Sequence, residues 1–215
     1  MLSKRMQSRR RFAHLLLALF LLPALAWSAP AQEGVHYELI QDGTPWQPLQ
    51  GKIEVVEVFD YRCEHCARFA PILEAWRSKQ AKDVRISYLP LPRGSDDAYA
   101  RTFFSAQAAG ALDRIHAPLF VALHQQRSLP ANASITELST WVGQQGVDAT
   151  QLRPAMEDPA LAAQLGAARD FAARSGVEGT PTLIINGRYR IVGNSFDNML
   201  ENADAVIAQL RSAQR

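Results

Sequence analysis

Ile53-Glu54-Val55-Val56-Glu57-Val58-Phe59 is apolar and β-branched along almost its whole length, which predicts a strand at the centre of a sheet. Alternation puts Ile53, Val55, Glu57 and Phe59 on one face and so sets the Glu57 carboxylate among apolar neighbours. From Cys66 onward, Phe69, Ala70, Leu73 and Trp76 follow helical spacing. Cys66 then lies on the buried stripe of that helix and Cys63 at its exposed start, while Pro71 is expected to kink it. Val84-Arg85-Ile86-Ser87-Tyr88-Leu89 alternates as a second strand, stopped by Pro90-Leu91-Pro92-Arg93-Gly94. Upstream, His36 to Ile40 predicts a short edge strand followed by an Asp42-Gly43 turn.

Between Ser95 and Ser175 the pattern changes to alanine-rich amphipathic segments broken at Gly110, Pro130, Gly146 and Pro159, which predicts four or five helices. Ser95, followed by Asp96 and Asp97, is the expected cap at its start, and Arg174-Ser175-Gly176 the stop at its end. Phe103, Phe104, Trp141 and Phe171 are expected in the core. Strand patterning returns at Gly179-Thr180-Pro181-Thr182-Leu183-Ile184-Ile185, and Asn186-Gly187 predicts a hairpin into Arg188–Val192. An amphipathic helix over Ser195–Ser212 closes the chain. The order of elements implies an α/β fold divided as 32–94, a helical insertion 95–175, and 176–215.

The first residues belong to a different kind of segment. Lys4, Arg5, Arg9, Arg10 and Arg11 precede an apolar run from Leu15 to Trp27 that ends in small residues. This is the composition of a secretory signal peptide over 1–31, with cleavage expected after Ala31. The run is shorter than the roughly 20 residues a membrane span needs, and Pro23 interrupts it. Removing the segment leaves 18 basic against 21 acidic residues, a net charge of −3, so the pI of 8.7 gives no support to nucleic-acid binding.

Export places the only two cysteines, Cys63 and Cys66, in an oxidising compartment. Spaced C-x-x-C at a helix start, they can close a disulfide, and the helix dipole with its unpaired N–H groups favours a thiolate at the first. A purely structural bridge across so short a loop would contribute only about 2 kcal/mol in the chain-entropy model. Zinc would need a second C-x-x-C or an H-x₃₋₅-H pair, and His116 and His124 are too far apart to serve. No metal site is therefore expected, and redox chemistry is the favoured reading over a structural disulfide or a metal.

The C-x-x-C at a strand-to-helix turn, the Gly179-Thr180-Pro181 before a terminal hairpin and the helical insertion together resemble the DsbA family of thiol:disulfide oxidoreductases, a branch of the thioredoxin fold. The resemblance covers essentially the whole chain after the signal. It implies that Cys63 is the sulfur attacked by a substrate thiolate and Cys66 its buried partner. It implies that His65 stabilises the Cys63 thiolate, that Glu57 accepts a proton from Cys66, and that Pro181 is a cis-proline beside the cysteines. Thr180 and Glu64 are expected at the substrate-binding edge. Glu64 stands where the best-known member has proline, so a weaker oxidant than a Glu64→Pro variant is expected, while Thr180, where that member has valine, can hydrogen-bond near the sulfurs. No cofactor beyond the Cys63–Cys66 disulfide is implied. The partners implied are reduced exported proteins and a membrane quinone-linked DsbB-like reoxidase; the protein is expected to be a periplasmic monomer that binds no nucleic acid. A monomeric reductase or isomerase, and a non-redox peptide-binding module, are the competing readings.

Overall fold

The computed structural model describes residues 30–213, so the expected signal segment lies, but for its last two residues, outside the described residues. Five strands form one mixed sheet in the order β1-β5-β4-β2-β3. They are β1 Tyr37–Leu39, β2 Ile53–Phe59, β3 Val84–Pro90, β4 Thr182–Ile185 and β5 Tyr189–Ile191. Strand β2 pairs parallel with β3 and antiparallel with β4, and all seven of its residues are buried. That accounts for its unbroken apolar run, since a strand covered on both faces has no solvent side to mark with polar residues.

Helices α1, Glu64–Arg77, and α7, Phe196–Ala213, share one apolar cluster, in which Ile53 and Val55 meet Phe69, Leu73, Leu200 and Val206. The other cluster joins Val56 and Val58 to the helical insertion. The insertion contains α2 Ala98–Ala108, α3 Leu112–Phe120, α4 Ile135–Gln144, α5 Ala149–Glu157 and α6 Leu161–Arg174. A π-helical turn, Val121–Gln125, continues α3. Phe103, Phe104, Trp141 and Phe171 are all buried, and each such side chain contributes about 1.5–3 kcal/mol through burial. Among the described residues no helix is long and apolar enough to cross a membrane.

One local expectation is corrected. The cap of α2 is Asp97, whose carboxylate accepts the Tyr99 and Ala100 N–H groups, whereas Ser95 offers its carbonyl to the Arg101 guanidinium. Strand β3 stops where expected, with Pro90 of the breaking stretch as its last residue. The Leu91 N–H donates to the Phe59 carbonyl of β2, so Pro90, one residue earlier, turns its missing donor toward the open edge of the sheet. Helix α1 runs unbroken through Pro71. The hairpin turn is as expected, with positive φ at both Asn186 (52°) and Gly187 (67°).

Candidate active site

Strand β2 ends at Phe59 and α1 begins at Glu64, and the turn between them presents the dithiol. Cys63 is the N-cap of α1, with its sulfur in the position a serine or aspartate side chain would usually take. Its Sγ accepts the Cys66 N–H at 3.5 Å and donates to the Thr180 carbonyl at 3.2 Å. Cys63 is half-buried and Cys66 fully buried, and the two thiols are unbonded. The helical stripe that buries Phe69, Leu73 and Trp76 also buries Cys66, three residues before Phe69. Burial raises the Cys66 pKa well above its ordinary value, the charges of Cys63 and Glu57 add to the rise, and hydrogen bonds from the Thr180 side chain and the Asp60 backbone oppose it. An uncompensated thiolate is therefore costly at Cys66.

Glu57 lies beneath this pair, on the face of β2 that alternation assigned to it, and is 1% exposed. Among the described residues its Oε1 has no hydrogen-bond partner. Burial, with a smaller contribution from Cys63, pushes its pKa up to about 8, so the carboxyl is mostly protonated at neutral pH. Across the site, the Thr180–Pro181 peptide bond is cis and both residues are half-buried. The contact from Thr180 to Cys63 is made by its backbone carbonyl. Glu64 and His65 are exposed on the first turn of α1. The structure thus brings Cys63, Cys66, Glu57, Thr180 and Pro181 together, while Glu64 and His65 adjoin the sulfurs through the chain.

The turn before Cys63 carries further residues whose part in the site is visible only in the fold. The Asp60 carbonyl accepts the Cys63 N–H at 3.0 Å. The Asp60 carboxylate takes the Arg62 N–H and Nε, each at 2.9 Å, and the Arg93 Nε at 2.9 Å. These partners hold the Asp60 carboxyl below its ordinary range even though burial pushes it the other way. Tyr61 is buried and its hydroxyl shares a 2.8 Å hydrogen bond with His116 Nδ1, while His124 Nε2 donates to the Tyr61 carbonyl at 2.7 Å. His116 is enclosed by Phe59, Tyr61, Tyr88 and Phe120, and burial lowers its pKa to about 4. A signal for it was present: Leu112, Ile115, His116, Leu119 and Phe120 follow helical spacing, so His116 lies on the apolar side of α3.

A half-exposed N-cap thiol four residues past a central strand, a buried second thiol, and a cis-proline loop facing both define a thioredoxin-fold dithiol oxidoreductase with an inserted helical domain. Residues 54–203 match the family described as the DSBA-like thioredoxin domain, and the chain belongs to that family. Among its relatives, the thiol:disulfide interchange protein DsbA of Azotobacter vinelandii is 32% identical over 168 residues, 76% of this chain and 78% of that one. The protein of the same name from Burkholderia cepacia is 27% identical over 93% of this chain and 94% of its own. The crystal structure of oxidoreductase DsbA from Xylella fastidiosa superposes with a TM-score of 0.78 at 37% identity, covering 82% of this chain and 96% of that one.

Proposed function

We propose that the chain is a periplasmic thiol:disulfide interchange enzyme that oxidises cysteine pairs of exported proteins through Cys63 and Cys66. The observation that supports this most is the asymmetry of the two sulfurs, with Cys63 reachable at the cap of α1 and Cys66 enclosed above a carboxyl of raised pKa. In the disulfide form, a substrate thiolate attacks Cys63 Sγ. The Cys63–Cys66 bond breaks, and its electron pair leaves on Cys66. Glu57, protonated at neutral pH, gives its proton to that buried sulfur and removes the cost of charge there. The second substrate thiolate then attacks the substrate sulfur of the mixed disulfide and releases Cys63. Two electrons pass from the substrate dithiol to the enzyme.

In this reading His65 assists Cys63 as a leaving sulfur, and Thr180 and Pro181 offer backbone to an extended substrate, with Glu64 at its rim. The enzyme carries no cofactor besides its own redox-active disulfide. A membrane quinone-linked DsbB-like partner restores that disulfide, and the protein works as a monomer after loss of its signal segment. The sheet and α1 come from 32–94 and 176–215, and 95–175 forms the insertion that covers them.

Reduced, unfolded substrate mixed with one equivalent of disulfide-form protein tests the reading. Rapid appearance of substrate disulfide is expected, and a protein unable to oxidise it would sink the proposal. Glu64 gives specific support to a second reading, a less oxidising reductase or isomerase, since a carboxylate beside Cys63 opposes a neighbouring thiolate. Glu64 is the first residue of α1, where proline is well tolerated, so Glu64→Pro probes this cleanly. Equilibration with glutathione should show the variant to be the stronger oxidant; an unchanged or weaker one would remove Glu64 from the account.

A further inference from the structure

Three polar contacts tie the helical insertion to the turn that precedes Cys63. Two hold Tyr61: the hydrogen bond between its hydroxyl and His116 of α3, and the bond that its carbonyl accepts from His124 in the π-helical turn. The third is an ion pair between the Arg62 guanidinium and the Asp97 carboxylate. Asp97 caps α2, the first helix of the insertion, and its side chain is wholly buried. Arg62 also spans to Asp60 through Nε, and its guanidinium lies 5.4 Å from the centre of the Tyr99 ring of α2. Its side chain is only 12% exposed. An arginine beside a reactive cysteine, free in solvent, would act through its charge. Here the cation is enclosed by two carboxylates, so its charge is neutralised where it stands.

Asp60 shows what the clamp fixes. Its carbonyl accepts the Cys63 N–H, and its carboxylate is pinned by Arg62 on one oxygen and Arg93 on the other. Arg93 in turn donates its N–H to Asp97. A planar fork that reaches two carboxylates at once is specific to guanidinium; an ammonium cannot reproduce it.

We propose that Arg62 is a positioning residue of the exchange reaction: by bridging Asp60 to Asp97 it locks the turn carrying Cys63 onto the cap of the insertion's first helix. The clamp thereby sets how strongly the dithiol form is favoured. Cys63 Sγ accepts the Cys66 N–H, a bond that strengthens when the reduced sulfur carries charge, and that bond depends on where the turn holds the sulfur. Loosening the turn weakens the reduced form selectively, which makes the disulfide a weaker oxidant. This inference rests on the exchange activity proposed above.

The test is equilibration of Arg62→Gln, Arg62→Lys, Asp97→Asn and the Arg62→Gln/Asp97→Asn double variant with reduced and oxidised glutathione. Asparagine is itself a good N-cap, so Asp97→Asn keeps α2 capped while losing the ion pair. Positioning predicts that every variant is less oxidising than the parent, by about three- to thirtyfold in the equilibrium constant. It also predicts that the double variant shifts no further than the larger single one, as members of one unit do. Arg62→Lys should behave as Arg62→Gln does. Action through charge alone predicts opposite signs for the Arg62→Gln and Asp97→Asn changes and parent-like behaviour for Arg62→Lys, and any of these results overturns the proposal, as do additive effects or no effect. An unaltered protein that exchanges with glutathione while the variants match it refutes the clamp alone. One that does not exchange refutes the reaction itself.

Discussion

Strand β2 carries two buried carboxylates three residues apart, and they have opposite circumstances. Glu54 is fully buried and completely partnered: it accepts from the Trp46 and Gln47 N–H groups, Ser87 Oγ and Arg85. Glu57, on the other face, is as deeply buried, has an oxygen with no partner and sits below the cysteines with its pKa raised to about 8. A buried carboxylate that is tied to a cation and several donors holds strands and loops in place. One deprived of them holds a proton instead, because ionisation there is unfavourable and neutrality is the available state. The same residue type on the same strand is a joint on one face and an acid on the other.

Breaking the joint should have the largest effect. Glu54→Ala leaves Arg85 and two loop N–H groups without their partner and is expected to destabilise the protein by about 3–5 kcal/mol in chemical denaturation. Glu57→Gln should do the reverse. Folding raises Glu57 above its ordinary value of 4.5, so between that pH and about 8 the native state keeps a proton that the unfolded chain has lost. Stability contributed by the neutral carboxyl is full below the window and is lost as pH rises through it. Glu57→Gln should therefore gain stability over the parent as pH rises, on the order of 4 kcal/mol at pH 8, while slowing exchange through loss of the proton donor. A variant destabilised at pH 8, or one whose denaturation shows the parent's pH slope, would contradict the contrast.

His116 extends the comparison to a base. Its ring is half-buried, its Nε2 is shut off from solvent with no hydrogen-bond partner among the described residues, and its pKa falls from 6.5 to about 4. Its stabilising contribution is present above pH 6.5 and is lost as pH drops toward 4, to the extent of about 3 kcal/mol. His116→Phe should abolish that acid-side loss, at a cost of about 1–3 kcal/mol at neutral pH from the Tyr61 hydroxyl left without its partner. At the small end, Glu157→Gln removes the exposed pair with Arg153 on α5 and should change stability by less than about 0.5 kcal/mol. An effect there as large as at Glu54 would show that burial is not what separates these carboxylates.

The elements were legible because they have strong periodic signatures. The unbroken apolar run marked β2 as central, and the helical spacing from Cys66 to Trp76 identified the covered sulfur. Glu57 was legible by alternation. Glu54 was not, since alternation alone put it opposite Glu57 without showing that Arg85, Ser87 and the 46–47 loop converge on it. The clamp at Asp60, Arg62 and Asp97 was hidden for the same reason. Two of its members adjoin the C-x-x-C in sequence, but the third is 35 positions from Arg62, and only the packing of α2 against the turn brings them together. The cap of α2 was placed at Ser95 and not at Asp97, because Ser95, Asp96 and Asp97 all have capping chemistry and the choice among them depends on where the chain leaves β3.

The central claim is that substrate thiolates attack Cys63, with the buried Cys66 as the sulfur that leaves. The most direct measurement is isolation of Cys66→Ala from cells, with thiols blocked, followed by mass-spectrometric mapping of its disulfide-linked adducts. Mixed disulfides between Cys63 and exported proteins are the expected result. A Cys66→Ala protein free of such adducts, or a Cys63→Ala protein that gathers them equally well through Cys66, would contradict the account.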